Sequence, residues 1–89
     1  MKRRYLEVTF RAGRPFSGYL YLPRQPGDKV ERTERMGHGL LLDYAEDGRP
    51  IGIEITAPDK TPPDAINDVL AKCGMDPIDP AELAPLQAA

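Results

Sequence analysis

The sequence predicts one α+β domain, in which an antiparallel β-meander of about five strands carries one C-terminal amphipathic helix packed on one face. Two observations lead to this fold class. Apolar and polar residues alternate with the period of a strand over most of residues 5–56, with glycine- and proline-containing turns between the segments. A stripe of apolar residues with helical spacing follows at 62–73. We therefore assign the domain to residues 1–74 and expect residues 75–89, rich in proline and alanine, to form a mobile tail.

The first two strands are predicted at residues 5–11 and 17–22. Side chains in a strand point alternately to its two faces, so the apolar residues of the first segment share one face and its polar residues share the other. The apolar set is Leu6, Val8 and Phe10. Gly13 tolerates a positive φ angle and Pro15 fixes its own φ angle, which predicts a turn between the two strands.

The third strand is predicted at residues 29–36, where charged residues fall on both faces. This pattern is typical of an edge strand, because charges on both faces discourage pairing with other chains. The sequence Gly37-His38-Gly39 then forms a flexible break before the fourth strand.

The fourth and fifth strands are predicted at residues 40–45 and 50–56 as a hairpin. Asp47-Gly48 between alternating apolar segments is a strong hairpin signal, and either a two-residue or a four-residue loop gives the same register. An odd loop would place the apolar residues opposite polar ones, so the hydrophobic pattern favours an even loop. The predicted pairs are Leu40 with Ile55, Leu42 with Ile53, and Tyr44 with Ile51.

The helix at residues 62–73 has start and stop signals at both ends. Thr61 is placed as the N-cap, Pro62 suits the first helical position, and Asp64 favours the positive end of the helix dipole. Gly74 marks the end of the helix. The residues of its apolar stripe are Ala65, Ile66, Val69, Leu70 and Cys73.

Length and composition exclude several classes of protein. A chain of 89 residues buries only about 60% of its unfolded surface, so we expect a dimer or a bound protein partner to add stability. The single cysteine and the single histidine exclude an internal disulfide and a Cys/His zinc site within one chain, and we expect no metal and no cofactor. No apolar run is long enough for a membrane span, and the basic start lacks the features of a signal peptide, so the expected location is the cytoplasm.

Charge is distributed unevenly along the chain. Residues 1–35 contain nine Lys/Arg and four Asp/Glu, whereas residues 36–89 contain three and ten. A basic sheet face that also carries aromatic residues is a common way to hold single-stranded nucleic acid. Solvated strand faces would give the same imbalance. The candidate nucleic-acid contacts are Arg3, Arg4, Arg11, Arg14 and Arg24.

Tyrosines share one face of the first two strands. Tyrosine is enriched in the cores of protein interfaces, so this face could instead bind another protein, and we favour that interpretation. The candidate interface residues are Tyr5, Thr9, Tyr19 and Tyr21.

No catalytic residue is predicted. Asp43 and Glu54 lie diagonally on one side of the predicted hairpin, and two carboxylates at that spacing could bind a divalent ion or act as acid and base, but a solvated outer face explains them more simply. His38 has no nucleophile signature near it and is interpreted as part of a turn. Cys73 is interpreted as a small buried apolar residue.

Residues 17–57 resemble the small bacterial proteins of the domain of unknown function 2283 family. The likeness is carried by Arg32-Thr33, by the apolar run into Asp43, by the turn at 46–49 and by Gly52-Ile53-Glu54-Ile55. The upstream segment GYLYL is similar to the short aromatic strand of the family. The resemblance implies a small sheet protein with no assigned activity and no catalytic residues. Association of family members with small toxin-like gene neighbours suggests an antitoxin or accessory role.

Taken together, these patterns predict a small non-enzymatic protein-interaction module, antitoxin-like or accessory to a small toxin-like partner. The alternative is a small RNA- or DNA-binding protein that uses the basic first half of the chain. Binding to nucleic acid through phosphate contacts would weaken steeply with salt, whereas a tyrosine interface would not.

Overall fold

The computed structural model describes residues 3–87 and contains a five-stranded antiparallel sheet, one α-helix and two 3-10 helices. The elements are β1 (Tyr5–Arg11), β2 (Arg14–Tyr21), β3 (Arg32–Gly37), β4 (Leu40–Tyr44), β5 (Pro50–Ile55), a 3-10 helix at Pro58–Lys60, α1 (Pro63–Lys72) and a 3-10 helix at Pro80–Gln87. The antiparallel sheet and the helix near residues 62–73 are thus confirmed. The prediction of one single helix is incomplete, because the structure also contains the two 3-10 helices.

The strands do not form a meander. Their order in the sheet is β1-β2-β5-β4-β3, so β5 lies between β2 and β4, and β3 lies at the far edge. A meander would place β3 between β2 and β4, where its charged residues on both faces would be buried. The apolar β5 occupies that central place instead, with four of its six residues buried, whereas all but one of the residues of β3 are exposed.

The β4–β5 hairpin corrects the predicted loop but keeps two of the three predicted apolar pairs. Ala45 donates a hydrogen bond to the Arg49 carbonyl, Gly48 donates one back to the Ala45 carbonyl, and Gly48 has a φ angle of 89°. The loop therefore has three residues rather than an even number, a common type with glycine in the left-handed region. A bulge at Ile51 then restores the register.

Beyond that bulge, Asp43 pairs with Gly52, Leu42 with Ile53 and Leu40 with Ile55, as the hydrophobic pattern predicts. Tyr44 is the exception, because it pairs with Pro50 and not with Ile51. The extra residue lets the strands keep their apolar side chains on the core face although the turn has an odd length.

The core lies between one face of the sheet and α1. Its centre is formed by side chains that are at most 3% exposed, each contributing roughly 1.5–3 kcal/mol by burial. From the sheet these are Leu20, Leu22, Leu40, Leu42, Ile53 and Ile55, and from the helix they are Ile66, Val69 and Leu70.

The predicted cap of α1 is wrong. The N-cap residue is Pro62, which makes no side-chain cap hydrogen bond, and the helix begins at Pro63. Thr61 is buried, and its hydroxyl lies 2.8 Å from the His38 carbonyl oxygen and 2.9 Å from the Ala57 carbonyl oxygen. Thr61 therefore ties the start of the helix to the β3–β4 turn rather than capping the helix.

Residues 75–87, the described part of the predicted mobile tail, contain a 3-10 helix and pack against the core. Ile78, Leu83 and Leu86 are at most 5% exposed and belong to the core. Leu86 packs over Gly18, because a Cβ atom on that glycine would lie 2.7 Å from Leu86 Cδ2. A 3-10 helix has three residues per turn, which places Leu83 and Leu86 on one side. That spacing, interrupted by prolines, gives no α-helical pattern in the sequence.

Two sets of hydrogen bonds hold the start of this segment. The Asn67 side chain on α1 accepts a hydrogen bond from the Ile78 N–H at 2.8 Å and donates one to the Ile78 carbonyl at 3.3 Å. The Arg4 guanidinium, just before β1, donates to the carbonyl oxygens of Asp76 and Pro77. The segment thus joins the helix to the edge of the sheet.

Within the described range, none of the helices has the length and apolar character that crossing a membrane requires.

Because Leu83 is 0% exposed, the Leu83→Ala variant is expected to lose about 2–5 kcal/mol of unfolding free energy, through lost burial and a remaining cavity. Urea denaturation measures this loss. Glu82→Ala, at an exposed neighbouring position of the same 3-10 helix, is the control and is expected to stay within about 0.5 kcal/mol of wild type. A mobile tail would give equal stabilities for both variants.

Candidate functional site

The open face of the sheet, defined as the face opposite the core, carries two rows of directly paired residues that cross all five strands. One row contains Tyr5, Tyr21, Gly52, Asp43 and Thr33. The other contains Glu7, Tyr19, Glu54, Leu41 and Arg35. Three of the four predicted interface residues lie in these rows, and Thr9 lies beside them on β1, paired with Ser17.

Asp43 is the centre of a hydrogen-bond network on the open face. It is 7% exposed, and its carboxylate accepts a hydrogen bond from the Tyr19 hydroxyl and another from the Thr33 hydroxyl, both at 2.7 Å. Arg24 in turn donates to the Tyr19 hydroxyl at 3.0 Å and to the Ile51 carbonyl at 3.0 Å. A buried carboxylate is costly unless it is hydrogen-bonded, and here hydroxyl donors from β2 and β3 meet it.

Gly52 makes this network possible. The Tyr19 ring lies directly over its Cα atom, and a Cβ atom at this position would overlap the ring and its hydroxyl. Burial, together with the neighbouring Asp43 carboxylate, raises the pKa of Tyr19 well above the ordinary value of tyrosine. The hydroxyl therefore keeps its proton at neutral pH and acts as a hydrogen-bond donor to Asp43.

Three tyrosines form a cluster beside the network. The rings of Tyr5 and Tyr21 are stacked, with centroids 4.4 Å apart and planes at 16°, and Tyr19 meets Tyr21 edge-on at 4.7 Å. The Arg24 guanidinium lies 5.1 Å from the Tyr21 ring centroid and 5.8 Å from that of Tyr19. Tyr5 remains 47% exposed, so its ring gives the cluster an outward aromatic surface that is supported from below by Tyr21 and Tyr19.

Asp43 and Glu54 lie on the same side of the hairpin, as predicted, but they have different environments. Asp43 is buried and bonded to hydroxyls, so the interpretation of a solvated outer face is wrong for this residue. Glu54 is half-buried and pairs with Tyr19 and Leu41. Among residues 3–87, no group of three or more His, Cys, Asp or Glu side chains is arranged to hold a metal ion.

The arginines predicted as nucleic-acid contacts do not form one patch. Arg3 and Arg4 precede β1, where Arg4 binds carbonyls of the C-terminal segment. Arg11 and Arg14 pair with each other at the opposite end of the β1–β2 hairpin, roughly 20 Å away at the rise of a strand. Arg24 is engaged with Tyr19 and Ile51, as described above.

Arg49 is a structural residue that the sequence analysis missed. Its guanidinium makes a bidentate contact with the Asp28 carboxylate, with hydrogen bonds of 2.7 and 3.2 Å. It also donates a hydrogen bond of 2.6 Å to the Asp47 carboxylate. The contact fastens the long β2–β3 connection to the β4–β5 hairpin. Hydrogen bonds from Arg49 hold the pKa values of both Asp28 and Asp47 below their usual range.

His38 and Cys73 occupy structural positions. His38 lies in the β3–β4 turn with a φ angle of 53°, which agrees with its interpretation as a turn residue. Cys73 is a free thiol that is half-buried beside the core, and burial raises its pKa, so the unreactive protonated form predominates at neutral pH.

A family model described as "Protein of unknown function (DUF2283)" matches residues 17–57, which confirms the resemblance found in the sequence. No curated protein and no solved structure matches the chain. The matched segment extends from β2 to just beyond β5 and includes Tyr19, Thr33, Asp43 and Gly52. The part of the chain that resembles the family is therefore the part that builds the Asp43 network.

The Tyr19→Phe variant tests the network. It removes one donor from the buried Asp43 carboxylate and is expected to cost about 1–3 kcal/mol in unfolding free energy, measured by urea denaturation. Tyr21→Phe is the matched control, because the hydroxyl of Tyr21 makes only a long, exposed contact of 3.4 Å with Glu7. Equal losses in the two variants would contradict the role of Asp43 as the centre of the network.

The Arg49 contacts predict a pH dependence of stability. Because the folded pKa values of Asp28 and Asp47 are lowered, their contribution is complete above the unfolded value of about 4 and is lost as the pH falls through the folded values. The melting temperatures of wild type and Arg49→Gln are thus expected to differ most above about pH 5 and to converge toward about pH 2. Arg35→Gln, at an exposed arginine, is the control. A constant difference between wild type and Arg49→Gln across this range would refute the assignment.

Proposed function

We propose that the chain is a non-enzymatic protein-interaction module that binds a protein partner through the tyrosine cluster on the open face of its sheet. The observation that carries this proposal is the stacked Tyr5–Tyr21 pair, which remains accessible on a base that is fixed by Tyr19. Tyrosine offers a large contact area and loses little conformational freedom on binding, especially when the ring is already held in place.

The environment of the polar side chains supports a binding role over catalysis. Asp43 and Tyr19 are the most enclosed polar groups on the open face, and each is occupied by hydrogen bonds within the protein. The raised pKa of Tyr19 makes it unsuited to act as a general base at neutral pH. The main feature that the open face offers to another molecule is then the aromatic surface of the tyrosine cluster.

For the partner, we propose a small toxin-like protein, with this chain as the antitoxin-like or accessory half of the pair. The resemblance to the family over residues 17–57 supports this choice by association. We further propose a cytoplasmic location. The free thiol of Cys73 supports it, since cysteines remain reduced in that compartment.

The experiment starts from a pull-down in the native cell, followed by purification of the captured partner and titration calorimetry. Replacing Tyr5 and Tyr21 together by alanine is expected to weaken partner binding by about thirtyfold or more, as expected for residues at the centre of an interface. Phe16→Ala is the matched control, because Phe16 is 48% exposed but lies near the β1–β2 turn, and it is expected to leave the affinity unchanged.

Salt dependence separates this proposal from the alternative of nucleic-acid binding. We expect the affinity for the partner to change little between 50 and 200 mM salt, values that bracket the range in which nucleic-acid complexes weaken steeply. Capture of RNA or DNA, with binding lost on raising the salt or in an Arg11→Gln, Arg14→Gln double variant, would establish the alternative instead. An unchanged affinity in the tyrosine double variant would reject the proposed surface.

A further inference from the structure

The two edges of the sheet differ in how well they are protected. The edge strand β3 carries Arg32, Glu34 and Arg35, and charges on both faces prevent further strand pairing. The other edge strand, β1, has seven residues with a regular alternation of apolar and polar side chains and contains no proline. The register shift near its end is caused by an additional residue in β2, Phe16, so β1 itself stays regular. An edge of this kind can pair with another strand.

The hydrogen bonds of β2 determine which groups of β1 are free. Leu22 donates to the Ile51 carbonyl of the neighbouring strand, so the even-numbered residues of β2 bond toward β5. Its odd-numbered residues therefore bond toward β1, where they pair with the odd-numbered residues of that strand. The N–H and C=O groups of Leu6, Val8 and Phe10 consequently point outward along the free edge.

We propose that this edge binds a second copy of the chain, with the two β1 strands antiparallel and related by a two-fold axis at Val8. In this register Leu6 lies opposite Phe10 of the second copy, so apolar residues meet on the core face. On the open face Tyr5 lies opposite Arg11 and Glu7 lies opposite Thr9, which allows cation–π contact and hydrogen bonding. The two five-stranded sheets then form one continuous sheet.

Other registers that keep the core faces of the two sheets on the same side are less favourable. An axis at Glu7 would place two glutamates opposite each other, and like charges across a strand pair are destabilising. An axis at Thr9 keeps only residues 7–11 in the pair, whereas the axis at Val8 uses the full length of β1. The Val8 register also covers Phe10, which is 51% exposed in the single chain.

The dimer goes beyond the proposed function, because it uses the edge of the sheet rather than the open face. It also affects that function, since the tyrosine clusters of the two copies would lie on the same side of one sheet. Two equivalent binding surfaces on one particle increase the apparent affinity for a partner that is itself multivalent.

Sedimentation velocity over a range of concentrations tests the dimer. Val8→Pro removes an outward N–H without breaking the β1–β2 hydrogen bonds, and proline is tolerated at such edge positions, so the fold is expected to remain. The dissociation constant of the dimer is expected to rise more than about tenfold. Retention of the wild-type constant in this variant, or a wild-type protein that stays monomeric at every concentration, would overturn the proposal.

Arg35→Pro on the opposite edge is the matched control. Thr56 donates a hydrogen bond to the Gly39 carbonyl. The main-chain N–H and C=O groups of the odd-numbered residues of β4 therefore bond to β5, and those of its even-numbered residues bond to β3. Glu34 pairs with Leu42, so the main-chain N–H and C=O groups of Glu34 bond to β4. The N–H of the next residue, Arg35, therefore points outward. We expect this variant to dimerise like wild type, and a loss of dimer there would also count against the β1 edge.

Single cysteines identify the register. In a Cys73→Ala background, oxidation of the Val8→Cys variant is expected to give a disulfide dimer, because the two Cα atoms across the axis would lie about 5.5 Å apart. Glu7→Cys and Thr9→Cys are expected to cross-link much less. Preferential cross-linking of Glu7→Cys or Thr9→Cys would reject the axis at Val8. The tyrosine double variant loses the Tyr5–Arg11 contact but keeps the main-chain hydrogen bonds and the Leu6–Phe10 pairs, so it is expected to remain dimeric. Failure of the dimer and failure of the proposed binding surface are therefore distinguishable.

Discussion

The hydrogen-bonded Asp43 carboxylate is the interaction on which the arrangement of side chains on the open face depends. It joins β4 to β3 through Thr33 and to β2 through Tyr19, and the Tyr19 ring passes over β5 at Gly52. Four strands are thus linked by one buried acid. The order of the strands is a condition of this network, because one strand lies between β2 and β4 and the Tyr19 ring must cross it. β5 offers Gly52 at the crossing point, whereas a meander would place the charged β3 there.

The strand order also resolves a conflict that was already visible in the sequence. Charges on both faces of β3 are compatible only with an edge, whereas a meander places that strand third of five, in the centre. The long connection from residue 22 to residue 31 lets the chain cross from β2 to the far edge, and Arg49 fastens it there through Asp28. The composition of the strand thus predicts its place better than the sequential order of the strands does.

Local patterns predict the strands and most of the β4–β5 register, since alternation of apolar residues fixes which side chains face the core. Features that depend on contacts between distant segments could not be predicted in this way. Thr33 reaches Asp43 only once the β3–β4 pairing is known, and no motif marks either residue as a partner of Tyr19. Leu83 and Leu86 form a 3-10 pattern that is interrupted by Pro85, which gives no α-helical period although both residues are buried.

The same network is the basis of the proposed binding role of the open face. Each oxygen of the Asp43 carboxylate accepts a hydrogen bond from a hydroxyl group, one from Tyr19 and one from Thr33. Satisfying the acid fixes Tyr19, and Tyr19 in turn supports Tyr21 and Tyr5 through ring contacts. The Asp43 network therefore holds an aromatic surface in place, and that surface lies beside the edge strand β1.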